Sequence, residues 1–126
     1  MITVFIDTSV LLSACLSKTG ASAFILGFCR KKKVKGLISK YVLSELKRNA
    51  EKLDQAGKRR LNYYILQSNL NIVENPINPP ILAAAIKYKT EYLVTHNTKD
   101  FLLPKVKNFA KPMTILTPRD FVMLIK

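Results

Sequence analysis

The chain is short of acid. Eight Asp plus Glu stand against 21 Lys plus Arg in 126 residues, a formal net charge of +13. Two cysteines and one histidine complete a thin set of reactive side chains. Each shortage excludes something. Two cysteines cannot build a disulfide framework. Cys15 and Cys29 both lie in apolar sequence, where reduced, buried thiols are expected. With His96 as the one histidine, a paired-histidine ribonuclease mechanism is excluded. No G-x-G-x-x-G, no phosphate-binding P-loop and no G-x-S-x-G turn occurs, so a nucleotide cofactor and a strained-turn serine nucleophile have no support. No apolar stretch approaches the ~20 residues that span a bilayer. The opening MITVFIDTSV has no basic n-region, and Asp7 interrupts its apolar run, so it does not read as a signal peptide. The expectation is a soluble, cytoplasmic protein with no membrane partner.

What is present is enough apolar side chain, 48%, to offset the entropy of ordering a fold. The length suits one domain over residues 1–126. The positive excess is unevenly placed. Residues 30–60 carry twelve basic side chains against Glu45, Glu51 and Asp54. Net charge promotes solubility, and a local cationic bias of this kind also suits a polyanion such as nucleic acid.

Apolar, β-branched runs at 2–6 (ITVFI), 34–39 (VKGLIS), 71–74 (NIVE), 91–96 (EYLVTH) and 112–117 (PMTILT) predict strands. Between them, helical spacing is read from Thr8 onward, over 21–30, from Ser39 with Val42, Leu43, Leu46 and Leu53 on one face, over 57–69, from Pro79 or Pro80 through ILAAAIKYK, and over 118–125. Residues 75–80, NPINPP, predict a loop because prolines donate no backbone bond. Strands alternating with helices give an α/β class with a mostly parallel central sheet of four to five strands flanked by helices.

In such a sheet, sites form beyond the carboxyl ends of the strands. Asp7 directly follows the first strand, Asn97 and Asp100 follow the fourth, Glu45 lies on the helix after the second, and Asn78 precedes the helix leading to the fourth. Each has a structural alternative. Asp7 also suits a helix cap, Glu45 a solvated surface, and Asp100 a turn cap. His96 reads either as a packed or solvent-facing residue or as a proton donor or phosphate contact. Tyr64 fits the core by its spacing, while Tyr63 could stack a base.

Four segments in order carry a resemblance: FIDTSVLLSA, SKYVLSELKRN, PPILAAAIKYKTEYLVTHNTKDF and MTILTPRDFV. Together they resemble the PIN-domain family over nearly the full length, including the ribonuclease toxins of toxin–antitoxin pairs. The resemblance implies a single PIN-like domain and metal-dependent cleavage of RNA, with Mg²⁺ or Mn²⁺ held by an acidic cluster. Hard divalent ions of this kind take oxygen ligands and keep several waters. By position, Asp7, Glu45 and Asp100 take the catalytic and metal-ligating roles. Asn78 and Asn97 stand at further metal positions where the family carries acids, and Thr8, Ser9 and Thr95 match polar positions that orient ligands. The three acids give the site about −3, which implies one well-held ion rather than two. Lys40, Lys47 and Arg48 flank Glu45 and are candidates to bind RNA. The resemblance further implies a cognate antitoxin and a homodimer. The alternative is a degenerate PIN domain that binds RNA or protein and cuts little.

Overall fold

The computed structural model describes residues 1–17, 19–75 and 80–126. Five strands form one sheet: β1 (Ile2–Ile6), β2 (Val34–Ser39), β3 (Asn71–Val73), β4 (Tyr92–Val94) and β5 (Thr114–Leu116). Their order across the sheet is β3-β2-β1-β4-β5, and every pairing is parallel. The α/β expectation is met. The chain steps from β1 outward to β2 and β3, then returns to the other side of β1 for β4 and β5. The order therefore reverses between β1 and β4, and a crevice opens at the carboxyl ends of those two strands.

Helices α1 (Thr8–Leu16), α2 (Ala21–Arg30), α3 (Lys40–Asn49), α4 (Gln55–Gln67), α5 (Pro80–Lys87), α6 (Thr98–Phe101), α7 (Pro104–Ala110) and α8 (Pro118–Ile125) connect and cover the strands. Their starts are legible in side-chain chemistry. Asp7, Ser39, Asp54, Asn97 and Thr117 each cap the helix that follows by accepting a backbone N–H. α1 is apolar on nearly every side, with Val10, Leu11, Ala14 and Cys15 fully buried, as befits a helix inside the molecule. The core packs these against Phe5 and Ile6 of β1, Leu93 of β4 and Phe121 of α8. Each such fully buried large side chain contributes about 1.5–3 kcal/mol. No single helix among the described residues is long and apolar enough to cross a membrane.

Several boundaries differ from the sequence reading. α3 ends at Asn49, and a single 3-10 turn (Ala50–Lys52) intervenes, so Leu53 lies beyond the helix assigned to it. The fourth strand ends at Val94, although the Thr95 N–H still donates to the Leu116 carbonyl at 3.0 Å while its hydroxyl turns to Asp7 in the crevice. β5 is trimmed at both ends: Pro112 has no N–H to give, and Thr117 caps α8 instead of pairing. α6 and α7 were not anticipated. At 4 and 7 residues they are too short to show a helical period, and Pro104 separates them.

The twelve basic residues of 30–60 also prove to be divided. Lys40, Lys47 and Arg48 lie on α3, which starts at the carboxyl end of β2. Lys31, Lys32, Lys33 and Lys35 lie at the amino end of that strand, on the opposite pole of the sheet.

Candidate active site

Asp7 ends β1 and is 5% exposed. Its backbone N–H donates to the Val94 carbonyl at 3.1 Å, extending the β1–β4 pairing by one residue. Its carboxylate takes three donors. Oδ1 accepts from the Thr8 N–H at 2.7 Å, which caps α1. Oδ2 accepts from the Ser9 hydroxyl at 2.9 Å and from the Thr95 hydroxyl at 2.6 Å. The last bond crosses the crevice where the strand order reverses. Asp7 therefore caps a helix and also lies at the crevice.

Glu45 is brought to the same place from α3. Its Oε1 accepts from the Thr8 hydroxyl at 2.7 Å. Its backbone carbonyl accepts from Asn49 Nδ2 at 2.8 Å, one turn along the helix. Glu45 is partly buried, not an ordinary surface carboxylate. Thr8 thus touches both acids, through its N–H and through its hydroxyl.

On the other side, Thr95 is fully buried and its hydroxyl also accepts from the Asn97 N–H at 2.9 Å. Asn97 Nδ2 in turn donates to Asp100 Oδ2 at 2.9 Å, and Asn97 Oδ1 accepts from the Asp100 N–H at 3.3 Å. Asp100 is exposed and reaches Asp7 only through Asn97 and Thr95. Asn78 lies outside the described residues.

His96 is exposed. Its N–H donates to the Ser9 hydroxyl at 3.1 Å, and its Nε2 lies 3.1 Å from the Ser22 hydroxyl. Ser22, buried in the first turn of α2, and Asn49 were not singled out from sequence. A small polar residue facing an apolar helix interior was the available signal for Ser22. Among the candidate RNA contacts, Lys40 is ion-paired with Glu74 at 2.6 Å, with both side chains more than half exposed. Lys47 and Arg48 are exposed.

Every hydrogen-bond donor to the Asp7 carboxylate is a neutral hydroxyl or amide, and no Lys or Arg among the described residues pairs with it. A buried carboxylate without a countercharge is costly unless hydrogen-bonded or joined by a cation. The donor set of Asp7, Glu45 and their hydroxyl neighbours is all oxygen, which suits a hard divalent ion. It is not a complete cage. Among the described residues, no three of His, Cys, Asp and Glu are placed to hold a metal together. A pair of carboxylates still fits Mg²⁺, which is often held by one or two carboxylates plus substrate phosphate and water.

Both cysteines are buried and unpaired. Burial pushes the Cys29 thiol up to about 12. Burial raises Cys15 to about 11, with the Arg60 guanidinium pulling weakly the other way. At neutral pH both are protonated and unreactive. Burial also raises the Tyr64 phenol. That ring is buried, edge-on to the exposed Tyr63 with centroids 5.7 Å apart.

A five-stranded parallel sheet, with buried Asp7 and α3-borne Glu45 joined through Thr8 where its strand order reverses, defines the class of the molecule. A family model described as PIN domain matches residues 3–99, and the chain belongs to the PIN-domain family. In fold it is similar to a chain of the crystal structure of VapBC2 from Rickettsia felis bound to a DNA fragment from their promoter. That chain is 18% identical, with a TM-score of 0.63, over 92% of this chain and 98% of that one. No curated protein matches.

Proposed function

We propose that this PIN domain is a metal-dependent endoribonuclease that hydrolyses RNA phosphodiester bonds. The observation that carries the reading is the junction of Asp7 and Glu45 through Thr8, at the crevice and with no basic counter-ion among the described residues. Asp7 and Glu45 would hold Mg²⁺ or Mn²⁺, with Asn97 and Asp100 at the margin and Asn78 at a further position. Once bound, the ion supplies Lewis acidity and a more acidic water. The protein's own groups do the positioning. Ser9 and Thr95 fix the Asp7 carboxylate in one rotamer, and Thr8 does the same for Glu45. Asn97 holds Asp100 beside the crevice. Lys47 and Arg48 lie on the helix that carries Glu45, where they would draw the RNA backbone toward the acids. In the reaction, water adds to phosphorus and the 3′ oxygen leaves, giving a 3′-hydroxyl and a 5′-phosphate.

The fold likeness to a VapBC2 chain supports a biological setting: the toxin half of a toxin–antitoxin pair, cytoplasmic, with a cognate antitoxin and a second copy of itself as partners. Incubating the protein with 5′-labelled structured RNA and Mn²⁺, with and without chelator, tests the chemistry. Chelator-sensitive cleavage leaving 5′-phosphate ends supports it. Cleavage that survives chelator rejects it.

A second reading is a binding domain that cuts little. It is favoured by the neutral Asn97 and by the engagement of Asp100 on it, which leave two carboxylates at the crevice. Salt-sensitive RNA binding with no cleavage in Mn²⁺ selects this reading.

A further inference from the structure

The pole opposite the acids is strongly cationic. The segments 30–33, 87–91 and 110–113 lead into β2, β4 and β5. They contain Arg30, Lys31, Lys32, Lys33, Lys87, Lys89 and Lys111 against the single acid Glu91. That acid is tied to β1, its Oε1 accepting from the Thr3 N–H at 3.2 Å and its own N–H donating to the Thr3 hydroxyl at 2.9 Å, and it offsets only one of the seven cations. Lys31, Lys32, Lys33, Lys89 and Lys111 are all exposed. Because β2, β1, β4 and β5 are neighbours, their starts are spaced ~4.8 Å apart, and the lysines ahead of them span about 14 Å.

Apolar clefts lie between these lysines. One, about 570 Å³, has Phe28, Val34, Tyr92 and Leu124 in its walls and Lys33 and Lys126 on its rim. A second, about 300 Å³, lies between Lys89 and Lys111 over Ile86 and Met113. A third, about 510 Å³, joins Lys107 and Lys111 over Met113 and Ile115. The arrangement alternates cation and apolar hollow along one edge. Single-stranded nucleic acid has the matching alternation, with a phosphate for each lysine and a base face for each hollow, and Phe28 and Tyr92 offer aromatic walls. A duplex keeps its bases stacked inside and cannot fill the hollows.

We infer that this amino-terminal pole of the sheet is an anchoring surface for single-stranded RNA, separate from the acid crevice. The choice of RNA rests on the ribonuclease reading. Five residues of rise separate Ile2 from Asp7, so the two surfaces lie about 17 Å apart. A strand held at both is retained more tightly than one held at the crevice alone.

Fluorescence anisotropy of a 5′-fluorescein single-stranded RNA dodecamer, titrated in EDTA so that no cleavage occurs, tests the anchor. The pole variant is the triple Lys33→Gln, Lys89→Gln, Lys111→Gln. The control is Lys52→Gln, Lys58→Gln, Arg59→Gln, which removes the same charge. α4 has 13 residues and its far end leads into β3, so its first turn lies about 20 Å from the pole. Circular dichroism checks that both variants are folded. The pole variant is expected to bind about ten- to hundredfold more weakly, with a salt slope shallower by about 2. The control is expected to stay within about threefold. Equal losses in both variants overturn the anchor. So does tighter binding of a duplex of the same length, or capture by phosphatidylserine vesicles without RNA binding. Failure of the ribonuclease reading is a distinct result: the anisotropy is intact and Mn²⁺ yields no cleavage.

Discussion

Thr8 donates its hydroxyl to Glu45 at 2.7 Å while its backbone N–H rests on Asp7, also at 2.7 Å. One small residue thereby holds together two acids from different segments. Thr8 precedes Glu45 by 37 positions. Removing the hydroxyl leaves Glu45 free to swing and leaves Asp7 where it is. Thr8→Ala is expected to lower the cleavage rate at fixed Mn²⁺ and to raise the Mn²⁺ concentration needed for half-maximal rate. Thr8→Ser keeps the hydroxyl and should restore most of both. A merely structural threonine would lower thermal stability alike in both variants, with no change in metal dependence.

Thr95 is fully buried and serves two neighbours, donating to Asp7 and accepting from the Asn97 N–H. Valine has its shape without the hydroxyl. Thr95→Val strands one N–H and removes one donor from a buried carboxylate. Urea unfolding should report a loss of about 1–3 kcal/mol.

Asn97 lies 2.9 Å from the Asp100 carboxylate through its amide nitrogen. Asn97→Asp replaces that bond by a contact between two carboxylates, which repel unless a cation lies between them. In EDTA the variant should melt below the wild type. Addition of Mn²⁺ should raise its Tm by more than it raises that of the wild type, as mass action requires for a better-bound ion. An identical Mn²⁺ response in both proteins would count against a metal at this end of the crevice.

A Cβ on Gly36 would sit 2.8 Å from Cys29 Sγ and 2.9 Å from Leu70 Cδ2. This is the middle of β2, against α2, where the Leu70 tip can shift but the Cys29 sulfur is buried. Gly36→Ala should cost about 1–3 kcal/mol by overpacking, measured by chemical denaturation.

The two thiols titrate near 9 in the open chain and at about 11 and about 12 when folded. Their folded values are raised, so the stability they contribute is complete below pH 9 and is lost as pH rises toward 11–12. The thermal midpoint should fall across that window, and less steeply in a Cys15→Ala, Cys29→Ala protein. At pH 8 neither thiol should react with a disulfide reagent until the protein is unfolded.

The sheet was legible because its strands are short apolar runs closed by cap residues; Asp7, Asn97 and Asp100 were legible as residues following strands, and Glu45 as an acid on the helix after the second. Their connections were not. That Thr8 bridges Asp7 to Glu45 depends on rotamers and on the packing of α3 over the crevice. The engagement of Asp100 by Asn97 depends on α6, a single turn with no period to detect. The partition of positive charge was hidden for a different reason. Lys33 and Lys47 are close in sequence, but β2 carries the chain from one pole of the sheet to the other between them.

The most direct test is the Mn²⁺ dependence of RNA cleavage by the wild type, Asp7→Asn and Glu45→Gln, followed on one 5′-labelled RNA. Asn and Gln keep the size and one carbonyl oxygen of each acid and remove its charge. The account predicts cleavage by the wild type that chelator abolishes, a rate at least a hundredfold lower in Asp7→Asn, on the order of that seen when a catalytic group is removed, and a shift to higher Mn²⁺ in Glu45→Gln. Cleavage by Asp7→Asn at the wild-type rate would contradict it.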